Sequence, residues 1–138
     1  MDFIVTDREG IEEGVSVKSA YIVISISDPG SRRPKVKKQS GLRGVLYLTF
    51  NDAEPPTTDS MVLFSPKQAR QIVEFVASHQ GGIGAVVVHC HQGMSRSPAV
   101  AAALCKAMGG DDSEFWEIYS PNMHVYQMVR QAAKGKFK

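Results

Sequence analysis

The chain has 138 residues, 43% hydrophobic and 22% charged, which is ordinary globular composition with room for one domain, 1–138, built on one core. With Lys+Arg 16 against Asp+Glu 14 the formal net charge is +2, too mild for a nucleic-acid binder, where a basic face or stripe is expected. Two cysteines, and a start in which Asp2 and Asp7 bracket the short apolar stretch Phe3 to Val5 in place of a secretory signal, point to a reduced, cytoplasmic protein. The longest apolar run, Ala99 to Cys105, falls far short of the ~20 residues of a spanning helix, so no membrane insertion is expected.

In chain order, "SAYIVISIS" (Ser19 to Ser27) is rich in β-branched residues and stops at Asp-Pro-Gly, the pattern of a strand ending in a turn. The basic cluster from Gly30 to Lys38 reads as a solvated loop. "GVLYLTF" (Gly44 to Phe50) is a second strand, followed by the polar, proline-containing loop Asn51 to Ser60. Ser65 and Pro66 then supply a cap and first position for a helix, with Ala69, Ile72, Val73 and Val76 at helical spacing and Gly81 and Gly82 as the stop. "GAVVVHC" (Gly84 to Cys90) is the third and most apolar strand. A strand, a helix and a strand form a crossover unit, which favours parallel pairing of the second and third strands.

Ser97 and Pro98 repeat the cap-and-start signal for a small-residue helix that Gly109 and Gly110 end. Asp111 with Glu114 has capping-box spacing and opens a short helix through Tyr119. Ser120, Pro121 and Asn122 introduce a last helix from Met123 to about Lys134, with a flexible tail over 135–138. The class is α/β, with a central, mostly parallel sheet flanked by helices.

Ligands of open α/β sheets sit beyond the carboxyl ends of the strands, and Cys90 falls at such an end. The loop from His91 to Arg96 feeds a helix N-terminus, where successive backbone N–H groups and the helix dipole together suit an anion. Gly93 permits the sharp turn, and Arg96 adds a planar cationic fork matched to two phosphate oxygens. Cysteine is nucleophilic as the thiolate, which cationic surroundings favour, so Cys90 is placed to attack phosphorus. Cys105, in the small-residue helix, reads as a core residue. His89 and His91 flank Cys90, but alternating positions on a tight loop do not make a tetrahedral site. Neither a metal nor another cofactor is implied.

The stretch "HCHQGMSRS" (His89 to Ser97) resembles the His-Cys-five residues-Arg-Ser/Thr motif of the cysteine-dependent protein tyrosine phosphatases, with glycine third after the cysteine. Its size and "SRSPA" exit are most similar to the compact dual-specificity branch, and the order of elements extends the likeness over most of 19–134. The resemblance implies a phosphatase-like fold, with Cys90 as nucleophile and Arg96 as phosphate clamp. The amides of His91, Gln92, Gly93, Met94, Ser95 and Arg96 would surround the oxygens. It further implies that Ser97 assists breakdown of the intermediate, that His89 supports the loop from behind, and that Asn122 helps hold it. A plain helix cap is the competing reading of Asn122.

A phosphomonoester leaving group needs a proton, and Asp28, Asp52, Glu54 and Asp59 are the candidate donors. Asp52 directly follows a strand end, and the family's acid lies at a similar distance upstream of the cysteine, often after Asn. It is the favoured choice. Asp28 reads as a turn-former and Asp59 has no strand to hold it. The family's inositol-phospholipid phosphatases usually carry lysine in the loop. His91, Gln92, Met94 and Ser95 include none, so the resemblance favours a phosphorylated protein, at phosphotyrosine with or without phosphoserine and phosphothreonine, or a small phosphate ester. The contrasting expectation is a catalytically weak module that binds phosphorylated partners.

Overall fold

The structure is a computed structural model that describes residues 1–137. Four strands, β1 (Asp2–Thr6), β2 (Tyr21–Ser27), β3 (Leu42–Thr49) and β4 (Ala85–His89), form one sheet in the order β1-β4-β2-β3, with every pairing parallel. The helices are α1 (Arg8–Glu13), α2 (Pro66–His79), α3 (Arg96–Ala107), α4 (Ser113–Ile118) and α5 (Met123–Ala132).

Strands β2 and β4 are buried along their whole length, as their near-continuous apolar sequence requires. Alternation divides them between two faces. Ile22, Ile24, Ile26, Val86 and Val88 enter the larger core with Ile72, Val76, Leu104 and Val125 of α2, α3 and α5. Tyr21, Val23, Ala85 and Val87 face the other way onto Ile11 of α1, with Val15, Val17 and Val36 around them. Helix α2 begins as its sequence indicates, with a Ser65–Gln68 capping box and Pro66 in the first turn. Among the described residues no helix is long and apolar enough to cross a membrane. Phe137 packs against the larger core, and Lys138, the end of the expected tail, lies outside the described residues.

Three expectations are corrected, and one strand is present that the sequence did not mark. The crossover through α2 does not make its two strands neighbours: β2, apolar on both faces, lies between β3 and β4 and pairs with each. The stretch Phe3 to Val5 is the centre of an edge strand, β1, paired with β4 from Asp2↔Ala85 to Thr6↔His89. Helix α3 starts at Arg96 with Ser95 in the cap position and no side-chain cap bond, so Ser97 lies inside the first turn. Helix α4 has Asp112 in its cap position with no side-chain cap bond, while Asp111 Oδ1 accepts from the Ser113 N–H and hydroxyl at 3.0 and 2.7 Å.

Candidate active site

Parallel pairing sends all four strands the same way, so the residues that follow them meet at one edge of the sheet. Asp28 follows β2, Asp52 lies just beyond β3, and Cys90 follows β4. A cavity of about 250 Å³ opens there, lined by Asp28, Asp52, Cys90, His91, Gln92, Met94, Ser95 and Arg96. Asp59 and Glu54 do not line it; Glu54 Oε1 instead accepts from the Met123 N–H at 2.7 Å.

The loop from Cys90 to Arg96 is held through its carbonyls. Arg8 N–H donates to the His91 carbonyl at 3.2 Å, Ser120 N–H to that of Met94 at 3.0 Å, and Asn122 N–H to that of Ser95 at 3.1 Å. By contrast, none of the backbone N–H groups of His91 to Ser95 donates a hydrogen bond among the described residues. Gly93, at φ +70, lies in the left-handed region, and a Cβ there would come within 2.9 Å of the Thr6 carbonyl oxygen. The turn therefore rests directly on the β1–α1 junction.

Cys90 is only 2% exposed, although it lines the cavity, and its Sγ lies 3.1 Å from Ser97 Oγ. The shift of the helix start accounts for that contact: within the first turn of α3, the Ser97 hydroxyl meets sulfur instead of capping backbone. Arg96 is 5% exposed. Its Nη1 donates to Asp28 Oδ1 and to the Phe50 carbonyl, both at 2.7 Å, while its Nε is buried with no partner among the described residues. An unpaired buried donor of a charged group is costly, and an oxyanion ligand would relieve that cost.

Asp52 Oδ1 accepts from Ser95 Oγ and from Asn122 Nδ2, both at 2.9 Å. Asn122, buried, also donates from Nδ2 to the Ala53 carbonyl at 3.0 Å, and its Oδ1 caps α5 by accepting from the Val125 N–H at 3.1 Å. The cap and the ties to Asp52 and Ala53 after β3 are thus made by the two ends of one amide.

Behind the loop, His89 is fully buried, with Nε2 2.6 Å from Ser25 Oγ and Nδ1 3.3 Å from the Cys90 carbonyl. Since the carbonyl can only accept, Nδ1 carries the proton and Nε2 accepts from the serine hydroxyl. Burial pushes the imidazole pKa down to about 4; the hydrogen bond to the Cys90 carbonyl opposes this and the Arg8 charge adds to it. Among the described residues no three His, Cys, Asp or Glu side chains gather where they could hold a metal ion.

Reading the sequence missed the ion pair of Asp28 with Arg96, the Phe50 carbonyl beside it, and the contribution of the β1–α1 junction. One signal was present: Asp28, like Asp52, comes at the carboxyl end of a strand of an α/β sheet, where ligands bind.

No family model matches the chain, and no curated protein matches it in sequence. Solved structures do. The chain is similar to human DUSP28 with a TM-score of 0.59 at 17% identity, covering 96% of this chain and 91% of that one. It is similar to a mouse putative dual specificity phosphatase, complexed with zinc tungstate, with a TM-score of 0.53 at 17% identity over 83% and 71% of the two chains. PTPMT1 in complex with PI(5)P gives 0.53 at 19% identity over 85% and 78%.

Proposed function

From the dual-specificity-phosphatase-like fold that the chain shares with these structures, we propose that it is a cysteine-dependent phosphomonoester hydrolase. One observation carries this reading: beside the Cys90 thiol, five consecutive backbone N–H groups and a buried guanidinium Nε lack partners among the described residues. Donors left open around a potential nucleophile suit a tetrahedral oxyanion, and act on the charge that develops as it reacts.

In this mechanism the Cys90 thiolate attacks phosphorus, forming the S–P bond as the bond from phosphorus to the leaving-group oxygen breaks. Asp52, carrying a proton, delivers it to that oxygen. The loop amides and Arg96 hold the three equatorial oxygens throughout. Water then attacks the cysteinyl phosphate and gives a proton to Asp52; the S–P bond breaks and inorganic phosphate leaves. Ser97 Oγ, 3.1 Å from Sγ, can donate to the departing thiolate and ease this second step. Ser95 and Asn122 orient Asp52 through Oδ1, leaving Oδ2 without a partner among the described residues. His89 supports the loop from behind. The substrate we propose is a phosphorylated protein, at phosphotyrosine and also phosphoserine or phosphothreonine. Support comes from a loop in which His91, Gln92, Met94 and Ser95 carry no lysine to engage a second phosphate.

Hydrolysis of p-nitrophenyl phosphate tests the mechanism. Wild type turns the ester over, Cys90→Ser abolishes turnover, and Asp52→Asn lowers kcat by roughly 100-fold, in the range of general-acid contributions. A wild type that binds phosphopeptide and hydrolyses no phosphate ester is a binding module, and overturns the reading.

A further inference from the structure

Asp28 is the acidic residue of the cavity that the proposed reaction does not use. Its backbone is fixed by a tight turn, in which the Ser31 N–H and hydroxyl both donate to the Asp28 carbonyl, at 3.1 and 2.7 Å. Its side chain remains 48% exposed, yet Oδ1 lies 2.7 Å from Nη1 of Arg96, whose side chain is 6% exposed. A pair open to water on one side adds little to fold stability, so the contact has to be judged by what it does to the guanidinium.

A guanidinium offers five N–H bonds in one plane. The two on Nη1 are matched by two acceptors from different strand ends, Asp28 Oδ1 after β2 and the Phe50 carbonyl after β3, each at 2.7 Å. Nε–H and Nη2 remain. These form the edge with parallel donors that matches two oxygens of a tetrahedral anion, and Nε is buried with no partner among the described residues. One acceptor on Nη1 would leave the plane free to turn about that contact. Two acceptors fix it.

We infer that Asp28 is a positioning residue, which holds Arg96 by Nη1 so that the Nε and Nη2 edge is the one presented to the substrate's phosphate. The inference rests on the reading of Arg96 as a phosphate ligand. It predicts that the Asp28 carboxylate, although of the same sign as the substrate, strengthens oxyanion binding.

The test measures the Kd for inorganic tungstate by calorimetry and kcat/KM on p-nitrophenyl phosphate for wild type, Asp28→Ala and Asp28→Asn. Tungstate binding is repeated for Arg96→Ala and for Asp28→Ala with Arg96→Ala. Asp28→Ala is expected to weaken tungstate about tenfold and to lower kcat/KM at least as much, the scale of one lost hydrogen bond to a charged group. Asp28→Asn keeps an acceptor at Oδ1 and recovers most of both. With Arg96 already removed, Asp28→Ala causes no weakening, because there is no guanidinium to position.

Tungstate bound as tightly or more tightly by Asp28→Ala overturns the inference, since Asp28 then competes for the anion's place. Equal weakening with and without Arg96 also overturns it, since the role is then structural. A wild type that neither binds tungstate nor hydrolyses the ester defeats the phosphatase reading itself. A wild type that does both, with Asp28→Ala unchanged, defeats only the positioning role.

Discussion

The imidazole of His89 ties stability to pH in a way that the structure puts in numbers. His89 is sealed behind the Cys90–Arg96 loop, with both nitrogens engaged as the neutral ring, and its pKa falls from 6.5 to about 4 on folding. Below pH 6.5 the unfolded chain takes up a proton that the folded chain refuses, so stability is lost as pH falls from 6.5 towards 4. At about 1.4 kcal/mol per pH unit, the full loss is about 3 kcal/mol once the pH lies below both values. Between about pH 7.5 and pH 5 the loss is about 2 kcal/mol, a sizeable part of the roughly 5–15 kcal/mol typical of a domain. Urea unfolding of wild type and His89→Asn at both pH values gives the comparison, because asparagine does not titrate and the other groups are common to both proteins. Wild type should lose about 2 kcal/mol more than the variant over this interval. Parallel pH profiles, or an imidazole titrating near 6.5 by NMR in the folded protein, would refute the argument from burial.

Gly93→Ala asks an L-residue to adopt φ +70 with its Cβ 2.9 Å from the Thr6 carbonyl oxygen. The left-handed backbone alone costs about 1–2 kcal/mol, so thermal denaturation should show a lowered Tm, and tungstate affinity should fall as the loop withdraws from the β1–α1 junction. Asn122→Ala loses both the α5 cap and the ties to Asp52 and Ala53. It should therefore lose about 1 kcal/mol of stability together with kcat. Asn122→Ser keeps a capping oxygen but is too short to make both ties, so it should restore Tm without restoring kcat; recovery of both in steady-state kinetics would reduce Asn122 to a cap.

How much of the site is legible in one dimension depends on how far apart its partners lie along the chain. Cys90, Gly93, Arg96 and Ser97 fall within a single strand, turn and helix start, where strand ending, turn geometry and helix dipole act between neighbours. Their grouping can be read directly. The partners of Arg96 are Asp28 and the Phe50 carbonyl, 68 and 46 positions away, and Asp28 considered in its own neighbourhood has the look of a turn residue. Strand β1 is five residues long with polar ends, and α1 is six residues with Ile11 as its one buried side chain. Neither has a pattern long enough to stand out.

The amino-acid order alone determined the α/β character, the helix cap at Ser65, and the thiol at the carboxyl end of a buried strand, because each follows from local periodicity and backbone preference. Strand order, the seating of Gly93 on the first strand's exit, the turning of the Ser97 hydroxyl towards sulfur and the clamping of Arg96 were decided only in three dimensions. Hydrophobic alternation specifies which faces must be buried, and leaves open which strand lies beside which. Strand order in turn decides which acidic side chains stand next to the guanidinium.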